Sequence, residues 1–430
     1  MAEDLRFPAG FYWGTATSSH QVEGNNQNNH WWDWEKIPGN VKDGMVSGIA
    51  CDHYNRFEED FALSEEFGHN SHRFSIEWSR IEPEEGRWDE KEVEHYRKVI
   101  ESLHRHNLVP FVTLHHFTNP IWFDEMGGWT NERAPQLLGR FAGYMAKQMG
   151  DSVPFWLTIN EPPVLPAASY IAGVHPPVKR DMGLALKAAR NILLSLGTMH
   201  HAIRENAPHS PKIGPVINMT HVMPASDSEE DKAAAKAMDQ YWNGYWLDGI
   251  RDGVVGPPAG GGDEVPGLKG AWDFIGLNYY SRSVVAAGRG IMGLRQVPPP
   301  PDAECSTMGW EVYPEGFYQC MLRLKQYGKP VYITENGIGT DDDEQRISYL
   351  VRHLYQVDRA IKDGVDVRSY LHWCQQDNFE WAEGYRQKFG LFRTEEGTLN
   401  RIAKPSAFFF KDVAENNRVP GALVEKYVQS

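Results

Sequence analysis

Several classes of partner are excluded by what this chain has little of. Lysine and arginine number 43 against 58 acidic residues, a formal charge of −15. The basic footprint of a nucleic-acid binder is therefore missing, and an acidic surface of this kind mostly serves solubility. No uninterrupted apolar run is long enough to span a bilayer, so no membrane partner is expected. The first eight residues, MAEDLRFP, carry no apolar core of a signal peptide, and a cytoplasmic location is the expectation. Cysteine is scarce: Cys51, Cys305, Cys320 and Cys374 are scattered, with no CxxC pair. That pattern suits a reducing compartment and not a disulfide framework. The histidine pairs (His115-His116, His200-His201, His104 with His106) lack HExxH and a recognisable third ligand, so no metal and no cofactor are expected. No linker and no sequence repeat divides the chain. Residues 1–430 are expected to form one domain.

What is present is a rhythm. Short β-branched or aromatic runs alternate with helical patterns, as in repeated βα units. Eight strands are predicted, at 11–15, 72–76, 110–114, 155–159, 213–217, 274–278, 331–334 and 369–373. They read as nearly continuous apolar runs, the mark of strands buried on both faces. Val93, Tyr96, Ile100 and Leu103 recur at helical spacing, as do Ile347, Leu350, Leu354, Val357 and Ile361, with Gly364 as a C-terminal cap. The first strand lacks a glycine-rich phosphate loop. The prediction is an α/β fold, a single-domain (β/α)8 TIM barrel with loop insertions at its C-terminal face. The Pro/Gly-rich stretches 256–267 and 297–301 are read as loops shaping the rim of the site.

In such barrels the chemistry sits where strands end. Gln21 and Glu23 lie near the first strand. Arg73 and Glu77 accompany the second, and His115-His116-Phe117 close the third. Asn160-Glu161-Pro162 follow the fourth, and Asn278-Tyr279-Tyr280 close the sixth. Glu335-Asn336-Gly337 close the seventh, and Trp373 closes the eighth, ahead of Asp377-Asn378-Phe379-Glu380-Trp381. Burying a carboxylate without a partner is costly. Two carboxyl groups with different pKa values are the device for cleaving glycosidic bonds. A lone Glu at a strand end could equally pair with an arginine across the barrel mouth. The Asn, His, Tyr and Trp gathered with this pair favour chemistry. Fifteen tryptophans fit a sugar site only weakly, because Trp also fills ordinary cores. Trp31, Trp32 and Trp34 could wall the entrance or pack beneath it.

From FYWGTATSSHQVEG (11–24) through TINEP (158–162), ITENG (333–337) and DNFEWAEGY (377–385) to WAEGYRQKFGLF (381–392), the chain resembles glycoside hydrolase family 1, the β-glucosidase family. The resemblance implies a retaining β-glycosidase acting on a small β-glycoside or cello-oligosaccharide, with terminal glucose as the leading sugar and galactose or fucose tolerated. It assigns Glu161 as acid/base and Glu335 as nucleophile. Arg73, Asn278 and Tyr280 become neighbours of the nucleophile. Gln21, His116, Asn160 and Glu380 become ligands of the sugar hydroxyls. Trp373 and Trp381 become sugar contacts, and Trp310 the wall of the aglycone site. Glu380 would repel a 6-phosphate. Departures from the family pattern stand at Phe117, Thr118-Asn119, Cys374, Gln375 and Gln376; the two glutamines, if buried, need hydrogen-bond partners. A carbohydrate-binding protein without catalysis, a transglycosylase and a metal-dependent hydrolase are the alternatives on the same scaffold.

Overall fold

A computed structural model describes residues 2–290 and 293–428. Eight parallel strands close into a barrel: β1 Tyr12–Ala16, β2 Ser71–Ser75, β3 Val109–His115, β4 Phe155–Asn160, β5 Lys212–Asn218, β6 Ile275–Tyr279, β7 Val331–Asn336 and β8 Val367–Trp373. Each pairs with its neighbour in sequence, and β8 returns to β1. All eight expected strands are present. Several run further than the apolar pattern alone marked, so Asn160, Glu335 and Asn336 lie within strands and not after them.

The helices follow from local chemistry. The helix Glu90–Arg105 opens on Asp89, whose carboxylate accepts the amides of Lys91 and Glu92. Acidic residues fill its first turn and His104 and Arg105 its last, in accord with the helix dipole. Its apolar stripe of Val93, Tyr96, Ile100 and Leu103 is buried. The helix Asp343–Lys362 is capped by Asp342. It ends at Gly364, which turns left-handed at φ +84° and returns its N–H to Ile361 O.

The barrel is filled at one end and open at the other. Tyr12, Phe111, Phe155, Phe274 and Tyr332, near the starts of their strands, pack together as a floor, with Phe111 and Phe155 stacked at 4.3 Å. Besides one at Val331/Tyr332 at the start of β7, register shifts fall between Leu157 and Asn160, at Leu277/Asn278, and between Ile333 and Asn336. Irregular pairing of this kind re-aims side chains, and it occurs where β4, β6 and β7 carry their polar residues.

One expectation is overturned. The 256–267 stretch does not shape the rim. It links the helix Tyr245–Asp252 to β6, at the end where strands begin. There Asp263–Glu264 pairs with Val254–Val255, and Gly267 O accepts from His201 Nε2 at 2.6 Å. A helix-to-strand connection must lie opposite the catalytic face, which composition alone does not reveal. The 297–301 stretch does reach the rim, where Val297 and Pro299 line the cavity. Among the described residues, no helix is long and apolar enough to cross a membrane.

Candidate active site

A cavity of about 600 Å³ opens over the C-terminal ends of the strands. Nine of the twelve site residues expected from sequence line it: His116, Asn160, Glu161, Tyr280, Trp310, Glu335, Trp373, Glu380 and Trp381. The other three, Gln21, Arg73 and Asn278, are fully buried behind this surface and act on it through hydrogen bonds.

Glu335 is held at both oxygens. Arg73 Nη1 donates to Oε1 at 2.5 Å and Tyr280 Oη to Oε2 at 2.6 Å. Arg73 has no exposure to solvent, and its remaining bonds go to Thr113 Oγ1, Thr334 O and Asn160 Oδ1. A buried guanidinium so placed is paired throughout, and removing one partner would leave an uncompensated charge. Burial, and then the charge of Glu335, push the Tyr280 phenol well above its ordinary range, so it remains a donor.

Glu161 sits differently. Asn278 Nδ2 and Asn218 Nδ2 each donate at 2.9 Å, both to Oε1. Burial first, and then the nearby Glu335, raise the carboxyl to about 7, against the smaller opposing effect of the two amides. Its backbone is left-handed, φ +49°, with its N–H donated to Val216 O at 2.9 Å. A non-glycine residue there costs about 1–3 kcal/mol and persists where the surroundings enforce it. Phe117 and Trp381, also on the cavity wall, share that conformation.

Asn278 was expected beside the nucleophile. Its hydrogen bonds run instead to Glu161 and Asn160 from Nδ2, and from Thr334 to its Oδ1. It therefore stands on the Glu161 side of the site. Asn218, the last residue of β5, was not among the expected site residues.

The far wall carries Glu380. Gln21 Nε2 reaches its Oε2 at 3.2 Å and Phe379 O at 2.8 Å, so Gln21 braces Glu380 from beneath. Burial, then Glu335, push Glu380 up to about 8. Asn160 Nδ2 lies 3.1 Å from His116 Nε2, and His116 stacks on both Trp373 and Trp381. Trp31 packs against Trp381 at 4.7 Å and Trp34 at 4.9 Å, with 1 % exposure. Neither it, Trp32 nor Trp34 lines the cavity: Trp31 and Trp34 pack beneath the wall, whereas half-buried Trp32 lies under Lys36 Nζ at 4.8 Å. Cys374 Sγ accepts from Asn378 and donates to Gln376 O, bracing the turn that carries Glu380. Gln375 Nε2 is bound by Asp60 O and Ser64 Oγ. The buried carboxamide of Gln376 has no hydrogen-bond partner among the described residues, and nothing in the structure explains it. Of the histidine pairs, His115 bonds Asn119, while half-buried His106 bonds Glu58 and Glu65.

A barrel with two strand-end glutamates, one raised by burial and one held by two donors, sharing a cavity rimmed with aromatics defines an enzyme that hydrolyses glycosidic bonds. The chain belongs to glycosyl hydrolase family 1, whose family model matches residues 3–419. It is 36 % identical to the 1,4-beta-D-glucan glucohydrolase of Thermotoga neapolitana, over 96 % of this chain and 99 % of that one. The solved beta-glycosidase from Pyrococcus horikoshii superposes with a TM-score of 0.91 at 36 % identity, covering 99 % of this chain and 98 % of that one. A family 1 β-glucosidase from Thermotoga maritima in complex with isofagomine lactam gives 0.91 at 35 % identity, covering 97 % and 100 %.

Proposed function

We propose that residues 1–430 form one catalytic domain that removes terminal β-D-glucosyl residues from small β-glycosides by double displacement. One observation carries the assignment of roles: a carboxyl raised to about 7, Glu161, shares its cavity with a second, Glu335, whose two oxygens are gripped by Arg73 and Tyr280. The departing glycosidic oxygen is a poor leaving group and needs a proton. Glu161 is the acid that supplies it, while Glu335 attacks the anomeric carbon. Once Glu335 is esterified its charge is gone, and with it the second-largest cause raising Glu161. Glu161 then becomes the base that activates water.

Asn160, on the cavity wall, is the group proposed to bond the sugar 2-hydroxyl, whose hydrogen bonds tighten in the transition state. Glu380 and Gln21 favour an unphosphorylated sugar, since burial and Glu335 already disfavour negative charge at this wall, and a 6-phosphate would add more of it. The relatives named as a glucan glucohydrolase and a β-glucosidase support glucose as that sugar. Four free cysteines support a cytoplasmic setting. The decisive experiment is a panel of aryl β-glucoside, β-galactoside, β-fucoside and 6-phospho-β-glucoside, with NMR of the first-formed anomer. The expected result is best turnover of the glucoside, none of the phosphorylated sugar, and β-anomer released first. Release of the α-anomer would refute double displacement.

The pH profile offers a second check. The acid must be protonated in the free enzyme, so kcat/KM should fall by about tenfold per pH unit above about 7. The amides of Asn218 and Asn278 favour the charged form of Glu161. Asn218→Leu removes one of them, so this limb should move to higher pH, and hydrolysis of the glycosyl-enzyme, which needs the base, should slow by about tenfold. An unmoved limb would show that Asn218 plays no part in setting the acid.

A further inference from the structure

The turn that presents Gln21 to Glu380 presents its neighbour His20 to the next residue of the same wall. His20 lies in the short helix Ser19–Val22, just after β1, and is buried. Its ring runs nearly parallel to Trp381, 5.8 Å between centroids and 13° between planes, and meets Phe379 edge-on at 6.1 Å. Trp381 opens the turn Trp381–Glu383 in a left-handed conformation, which persists only where the surroundings hold it. Residues 42–47 cross this turn as a strap. Lys42 Nζ donates to Glu383 at 2.6 Å, and Arg386 pairs with Asp43 through two bonds at 2.5 and 2.6 Å. Tyr385 donates from its backbone N to Met45 Sδ at 3.1 Å and from Oη to Ser47 O at 2.6 Å.

His20 and the strap meet at Glu35, the last residue of the helix His30–Glu35. Glu35 Oε1 accepts from Ser47 N at 2.9 Å and Ser47 Oγ at 2.7 Å, and its Oε2 lies 3.2 Å from His20 Nε2. Neither side chain of the His20–Glu35 pair is exposed. The neighbours decide where the imidazole carries its proton. Asn29 Oδ1 accepts from Trp32 N at 3.0 Å, and Asn29 Nδ2 donates to Asn26 O at 2.8 Å, so the amide is fixed in orientation. Its other Nδ2 proton faces His20 Nδ1, 3.2 Å away. Nδ1 is therefore the acceptor, and Nε2 donates to Glu35. Held at both nitrogens, the ring has its plane set. A buried polar pair adds little net stability over well-packed apolar side chains, but unlike them it has direction.

We propose, on the reading that this cavity takes a β-glycoside, that His20 and Glu35 are positioning residues which together fix the plane of Trp381 and so the shape of the sugar-binding wall. Neither lines the cavity, whereas Trp381 does, so the pair acts through Trp381 and not on the sugar itself. A contact held in one orientation beforehand pays no ordering cost when the sugar arrives. The effect falls on sugar binding and not on the chemical step, because Glu161 and Glu335 take their hydrogen bonds from other residues. Loss of an interaction of this kind raises KM and leaves kcat little changed.

Glu35→Gln tests this with almost no change of shape. Its amide oxygen must stay with the two donors of Ser47, which turns the new NH2 group toward the donating Nε2 of His20. Moving the ring proton to Nδ1 only sets it against the amide of Asn29. Either way two buried donors face each other, and the ring must leave its plane. Three quantities are measured on the full-length protein: affinity for the glucose-shaped iminosugar deoxynojirimycin by calorimetry, kcat and KM for 4-nitrophenyl β-glucoside, and Tm. The expected result is affinity about tenfold weaker, KM raised by about the same factor and kcat within about threefold. The fall in kcat/KM above about pH 7 should not move. Ser47→Ala removes only the hydroxyl bond and serves as the milder variant if Glu35→Gln does not fold; it should weaken affinity about threefold. Gly364→Ala, strained at φ +84° at the opposite end of the barrel, shows what lost stability does alone: a lower Tm with unchanged affinity. Unchanged affinity in Glu35→Gln or in Ser47→Ala, or an equal loss in Gly364→Ala, overturns the proposal. Unsubstituted protein that binds the iminosugar but turns over no glucoside would sink the catalytic reading alone and leave the affinities to decide this one.

Discussion

Replacing Glu335 with glycine lowers hydrolysis of β-glucosides by at least about 10⁴-fold, the scale expected when the group that forms the covalent intermediate is removed. Glu335 has no substitute within reach. Glu161 and Glu380 are both raised, to about 7 and about 8, by burial first and then by Glu335, and each faces the cavity from its own strand end or loop. The space left by the side chain admits a small anion beside Arg73 Nη1 and Tyr280 Oη, the two donors that hold Glu335. Azide or formate should therefore restore turnover of an activated glycoside. With azide, the product should be a glycosyl azide of inverted configuration, because one displacement replaces two. The measurement is turnover of 4-nitrophenyl β-glucoside with and without added azide, with the anomer read by NMR. Undiminished hydrolysis by the variant would show that the nucleophile lies elsewhere.

Glu161→Ala has a different signature. Loss of the acid slows the first step according to how much the leaving group needs a proton. For an alkyl glucoside the expected loss is about 10²–10⁴-fold. For a dinitrophenyl glucoside, whose phenolate departs without help, the first step should scarcely change. The second step then limits the rate, since the base is also missing, and the covalent intermediate should accumulate as an initial burst. The fall in kcat/KM above about pH 7, assigned to this carboxyl, should vanish for the activated substrate. Equal slowing of both substrates, with the pH limb intact, would contradict the acid role.

Much of this was legible in the sequence because the barrel writes itself in short range. Each strand is a local apolar run bounded by turns. Each helix carries its own cap and stripe, as Asp89 and Asp342 do at their helix starts. The strand ends could be read directly, so Glu161, Glu335, Tyr280 and Trp373 stood out before any contact was known. Where the local pattern was silent, expectation strayed. Asn278 was assigned to the nucleophile, whereas the register shift at Leu277/Asn278 accompanies an amide donated to Glu161. Nothing local marks Asn218 as a partner of a glutamate 57 residues earlier. The 256–267 loop was placed at the rim because glycine and proline mark a loop without telling which end of the barrel it closes.

By itself, the sequence determined the strand count, the helices between them and the standing of two glutamates at strand ends, since these depend on residue type and on spacing within a few turns. Only the tertiary structure decided the electrostatics. Glu161 and Glu335 are the same side chain on similar strand ends. What separates the roles we propose for them is that one meets two neutral amides in a buried wall, while the other meets a guanidinium and a phenol. Those partners come from other strands, and a charge in a low-dielectric site is governed by what stands within a few ångströms of it, however far away along the chain.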